Sequence, residues 1–145
     1  MCRIKSIADD LFNKYKTRNP FEIARLMNIN VTLWSFHDEI NGLYKYERRN
    51  RFIYINNNLS EEFQLLVCAH ELGHAILHSR HNTPFMRKNT LLSVSRIEIE
   101  ANTFAAELLI SDDFITNNKH LTTQQLASLH NVPEEIVMLK CKGLL

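Results

Sequence analysis

Residues 60–79 constrain the fold more than any other stretch of the chain. Phe63, Leu65, Leu66, Val67, Ala69, Leu72, Ile76 and Leu77 cover most of a helical circumference. A helix that is apolar nearly all round has to be buried on most sides, so it is predicted to be the centre of the domain. Ser60 is a favourable N-cap, and Glu61 and Glu62 fall in the first turn, where the helix dipole favours acidic groups. Four polar residues, His70, Glu71, His74 and His78, interrupt this apolar surface. Each must find a partner or bear the cost of losing water.

The sequence His70-Glu71-Leu72-Gly73-His74 reads HExxH. Histidines four apart lie one turn apart on the same helical face, so both imidazoles can reach one tetrahedral metal ion such as Zn2+. Glu71 lies beside them, placed to act as general base toward a water activated in a hydrolytic site. The alternative, two core histidines each satisfied separately by backbone carbonyls, requires several independent partners where one ion serves both.

The flanking segments predict an α+β fold that is mostly helical. Residues 4–16 repeat apolar positions at three- and four-residue intervals, the pattern of an amphipathic helix, and Asn19-Pro20 caps a short second one. Residues 31–36, 43–46 and 51–55 alternate and are rich in β-branched and aromatic side chains, with Asn41-Gly42 as a turn signal and residues 47–50 as a hairpin loop. A small three-stranded antiparallel sheet beside the central helix is expected. The strand 51–55, read as an exposed edge, would be the place for an extended substrate to pair. Residues 80–95 lack a period and read as a long loop, 97–110 as a helix, and 122–142 as a helical pair broken at Asn131-Val132-Pro133. With 145 residues, 45% apolar, one domain spanning 1–145 is predicted.

A catalytic zinc site keeps three protein ligands and an open position, so a third ligand is sought outside the central helix. Residues 97–106 offer Glu98 and Glu100, which point in different directions. Glu100 shares a stripe with Ile97, Phe104 and Leu108 and is the expected ligand; Glu98, grouped with Asn102, is expected to face solvent. His78, one turn beyond His74, is expected to have a supporting or structural role, because a fourth protein ligand would close the site. Tyr46, Tyr54 and His81 are candidates for stabilising an oxyanion.

The run from His70 to His78, followed by Glu98-Ile99-Glu100-Ala101-Asn102-Thr103-Phe104-Ala105-Ala106-Glu107-Leu108-Leu109-Ile110, resembles the ImmA/IrrE metallopeptidases. The resemblance extends over most of the chain. It implies a zinc endopeptidase with His70, His74 and Glu100 as ligands and Glu71 as general base. It also implies a substrate, a helix-turn-helix repressor of a phage or other mobile element. Two departures stand out: Phe104 occupies the position four after Glu100, where related enzymes often place an acidic group that steadies a zinc histidine, and Leu109-Ile110-Ser111-Asp112 replaces a Leu-Leu-Met-Pro ending.

A net charge of +1, from 17 Lys and Arg against 16 Asp and Glu, gives no field to gather nucleic acid or anionic lipid. No apolar run is long enough to span a bilayer, the first residues lack the apolar core of a signal peptide, and three singly placed cysteines suggest no disulfide framework, so a cytoplasmic protein is expected. Cys68 is read as a small buried hydrophobe. The competing function is a DNA-binding or protein-binding regulator with a structural zinc site, because residues 123–137 have the look of a helix-turn-helix. Against direct DNA binding, Glu134 and Glu135 open its second helix and only Lys140 and Lys142 follow.

Overall fold

The computed structural model describes residues 2–86 and 95–144; residues 87–94, part of the expected long loop, lie outside the described residues. In chain order the elements are α1 (Cys2–Tyr15), α2 (Pro20–Leu26), β1 (Asn30–Trp34), β2 (Ile40–Glu47), β3 (Asn50–Asn56), α3 (Glu61–Leu77), β4 (Thr83–Met86), α4 (Arg96–Leu109), α5 (Asp112–Thr116), α6 (Thr123–His130) and α7 (Glu134–Lys142). The architecture is α+β and mostly helical. Among the described residues no helix is long and apolar enough to cross a membrane.

Local chemistry sets the helix starts. Asn19 Oδ1 accepts from the Phe21 amide ahead of Pro20, and Ser60 Oγ accepts from the Phe63 amide at the head of α3. Thr122 and Gln125 form a reciprocal capping box on α6, which ends at the left-handed Asn131. The short helix α5 has no counterpart in the sequence reading. Ser111 caps it, accepting from the Phe114 amide.

The sheet differs from expectation in three ways. Among the described residues it has four strands, ordered β1-β3-β2-β4, and it is mixed: β1 runs parallel to β3, whereas β2 is antiparallel to both β3 and β4. The fourth strand lies within the segment read as a loop, where Pro84 masks a strand signal; proline is tolerated there because β4 is at an edge. Consequently β3, with Arg51–Ile55 inside it, is an interior strand, and among the described residues the edges are β1 and β4. Asn41-Gly42 does not turn the chain but lies inside β2, where the pairing with β4 shifts between Ile40 and Gly42. The turn between β2 and β3 consists of Arg48 and Arg49, both left-handed at φ 50° and 67°, the geometry whose twist suits a two-residue hairpin.

The core lies where α3 passes between the sheet and the remaining helices. Tyr44, Ile53 and Ile55 of the sheet, Leu66, Val67 and Leu72 of α3, and Phe104, Ala105 and Leu108 of α4 are all buried. Cys68 is buried among them, and burial, with the Glu71 charge, pushes its thiol well above the usual range.

The C-terminal pair is tied down by buried charge. Lys140, 1% exposed, donates to Glu107 Oε1 of α4 at 2.8 Å and to Asp112 Oδ1, while Lys5 of α1 donates to both Asp112 oxygens at 2.7 and 2.8 Å. Removing Lys140 leaves Glu107 with only Lys5, 3.6 Å away, so Lys140→Met is expected to lower stability, by less than the roughly 3 kcal/mol of a fully stranded buried charge. Denaturant titration checks this, and Glu107→Leu added to Lys140→Met should restore much of the loss. The same burial removes one of the two lysines that a DNA-binding reading of α6 and α7 needs.

Candidate metal centre

Helices α3 and α4 approach closely because Gly73 has no side chain: a Cβ there would lie 3.1–3.3 Å from Phe104 and from Ala101 Cα. This close packing sets the first turn of α4 against the histidine face of α3. One imidazole nitrogen from each of His70 and His74 and one carboxylate oxygen of Glu71 lie within 4.8 Å of one another, and all three residues are fully buried. The two Nε2 atoms are 3.2 Å apart.

Of the two candidate carboxylates on α4, the one at this pair is Glu98. Its oxygens lie 2.8 Å from His70 Nε2 and 3.2 Å from His74 Nε2. Burial acts to raise the Glu98 carboxyl, and the two imidazoles beside it act the other way. Glu100 is not brought to the pair. Its Oε1 accepts from His78 Nε2 at 2.8 Å, and its other oxygen lies 3.7 Å from Arg3 and 3.6 Å from Arg96.

Asn102, read from sequence as facing solvent, is only 1% exposed. Its Oδ1 lies 2.7 Å from His70 Nδ1. An amide oxygen only accepts, so Nδ1 of His70 carries its hydrogen and Nε2 presents a lone pair. Asn102 follows Glu98 by four residues and so shares its face. The gap noted at Phe104 disappears when the spacing is counted from Glu98, and the Glu98-x-x-x-Asn102 spacing is the sequence signal that separates the two glutamates.

His74 is supported differently. Its Nδ1 lies 3.0 Å from Nδ1 of His78, the residue that caps α3. Burial lowers the affinity of both rings for a second proton, and the carboxylates of Glu98 and Glu100 beside them oppose this. Phe85 of β4 stacks on the His70 ring with centroids 4.0 Å apart, closing one flank.

Glu71 is the exceptional group. Both its oxygens are buried, and neither has a hydrogen-bond partner among the described residues. Burial, aided by the neighbouring Glu98 charge, raises its carboxyl well above the usual range. Room for it is left by Gly42 of β2, where a Cβ would lie 3.1 Å from Glu71 Oε2 and closer still to Val67 and the Tyr54 carbonyl. A buried carboxylate without a partner, beside two imidazoles and a second carboxylate, is the donor set of a divalent cation with a water beside it.

The three oxyanion candidates have these surroundings. Tyr54 packs against Phe36, Trp34 and Phe52, Tyr46 lies under the Arg80 guanidinium, and the exposed His81 neighbours the His78 ring at 6.2 Å.

Known proteins share this chain's pattern. The family model described as the IrrE N-terminal-like domain, Peptidase M78, matches residues 24–142. The chain is 50% identical over 139 residues to the uncharacterized immunity region protein 2 of Bacillus phage phi105, covering 94% of this chain and 88% of that one. It is 29% identical over 143 residues to the metallopeptidase ImmA of Bacillus subtilis (strain 168), covering 94% of this chain and 83% of the relative.

Proposed function

The chain belongs to the IrrE N-terminal-like family of peptidases, and from that premise we propose that it is a zinc-dependent endopeptidase whose substrate is a cytoplasmic helix-turn-helix repressor. The observation that carries the reading is the buried Glu71 carboxylate, left without a partner beside His70 and His74. Two imidazoles and one carboxylate suit zinc, with His70, His74 and Glu98 as ligands. Glu98 takes the third position in preference to Glu100; its approach to both Nε2 atoms and the support Asn102 gives His70 favour it.

A bound zinc ion supplies Lewis acidity and lowers the pKa of a neighbouring water. The chain supplies the rest. Glu71 accepts a proton from the attacking water on a carboxylate oxygen and returns it to the leaving amine nitrogen. Its carboxylate, beside the two imidazoles, is placed for both transfers. The β4 edge, next to His70 through Phe85, is suited to pair with an extended peptide.

The identity of the substrate draws on the relatives: one is named an immunity region protein of a phage and another a metallopeptidase. The test is incubation of the purified protein with the repressor encoded beside it, with and without a chelator, alongside metal analysis. About one zinc per chain and chelator-sensitive cleavage at a defined bond are expected. Protein prepared without chelators that contains no zinc and leaves the repressor intact would refute the proposal.

A further inference from the structure

The ligand histidines are backed by two different devices, and the second uses residues that neither the metal nor the catalytic step accounts for. His70 is steadied directly by Asn102. His74 instead meets another imidazole, His78, which in turn meets the Glu100 carboxylate. We propose that His78 and Glu100 form a two-step tautomer relay that holds His74 with its hydrogen on Nδ1 and its Nε2 lone pair toward the metal.

The chemistry runs inward from the surface. A carboxylate can only accept, so the 2.8 Å contact with Glu100 Oε1 requires the hydrogen of His78 to be on Nε2. A neutral imidazole with its hydrogen on Nε2 has an acceptor at Nδ1. That atom lies 3.0 Å from His74 Nδ1, which must therefore be the donor. The Nε2 of His74 is left as a lone pair, facing His70 Nε2 and Glu98 Oε1, each at 3.2 Å. The opposite arrangement would set two lone pairs against each other at Glu100 and put a hydrogen on the His74 nitrogen that faces the site. His78 is 8% exposed, so water cannot readily replace either contact, and Arg3 and Arg96 hold Glu100 at the rim. His78 and Glu100 are thus positioning residues: neither reaches the metal, and both act through His74. Hydrogen bonds to the far nitrogen of a ligand imidazole fix its tautomer and raise its basicity, and their loss weakens metal binding about 10–100-fold.

The inference rests on His74 being a metal ligand, so the experiment begins with zinc affinity of the wild-type protein, measured by competition with a chromophoric chelator. Wild type that binds no zinc would overturn the reading of the whole site. If wild type binds, His78→Phe and Glu100→Leu are each expected to weaken zinc binding about 10–100-fold, while the melting temperature of the metal-free protein stays close to wild type. His78→Gln, which keeps an acceptor, and Glu100→Gln, whose carbonyl can still accept from His78, should recover much of the affinity. Nitrogen-15 shifts of the histidines in the zinc-loaded wild type should show His78 with hydrogen on Nε2 and His74 with hydrogen on Nδ1. Unchanged zinc affinity in both apolar variants, or hydrogen on Nδ1 of His78, would overturn the relay and leave the metal site standing. Should His78→Phe fail to fold, Glu100→Leu at the rim and the nitrogen shifts decide the question alone.

Discussion

Glu71→Gln is expected to give a folded protein that holds zinc as wild type does and cleaves the repressor at least about 10²–10⁴-fold more slowly, the usual worth of a general base. Glutamine fills the space beneath Gly42 that the carboxylate fills, so packing against Val67 and β2 is retained. What it removes is the capacity to take a proton. The substitution also relieves the burial of a carboxyl whose oxygens have no partner, so the variant should be no less stable than wild type. Cleavage followed by mass spectrometry, with metal content measured on the same preparation, checks both halves. Undiminished cleavage would show that Glu71 is not the base; loss of zinc together with unfolding would favour a structural metal.

The second large effect separates the two glutamates of α4. Glu98→Gln should strip most of the zinc and with it the activity, as should His70→Ala and His74→Ala, because each removes one of the three proposed ligands. Glu100→Gln should retain the metal, since its contact is with His78 and a carbonyl oxygen can serve there. Zinc release timed against a chelator orders the variants. Faster release from Glu100→Gln than from Glu98→Gln would return the third position to Glu100.

The opposite ordering was the natural one from sequence alone, and the reason is physical. Phe104 and Leu108 of the expected stripe do lie in the core, whereas Ile97 does not; the error was to treat Asn102 as a solvated residue because it is polar. Asn102 is buried because it has a partner on another helix, a fact that no periodicity on its own helix contains. By contrast the meeting of His70, Glu71 and His74 is local, fixed by the pitch of a single helix, and could be read from spacing. Helix starts were legible for the same reason, through Asn19 and Ser60. Strand identity was legible but pairing was not: the alternation in β1 and β3 predicts strands and says nothing about whether they run parallel. The fourth strand was hidden by Pro84 and by its shortness.

Gly73 has a consequence for how metal binding and folding are linked. The two helices that carry the donors are brought together by packing, with Phe104 and Ala101 lying where a side chain on residue 73 would be. Helix docking therefore has a contribution from packing besides that of the ion. The metal adds to that contribution, and by mass action it stabilises the folded state in proportion to the logarithm of its free concentration over its dissociation constant, about 4 kcal/mol at a thousandfold excess. A pool of available zinc would then set how long the folded enzyme lasts as well as whether it can act, so scarcity of the ion would lower both the activity and the amount of the protein.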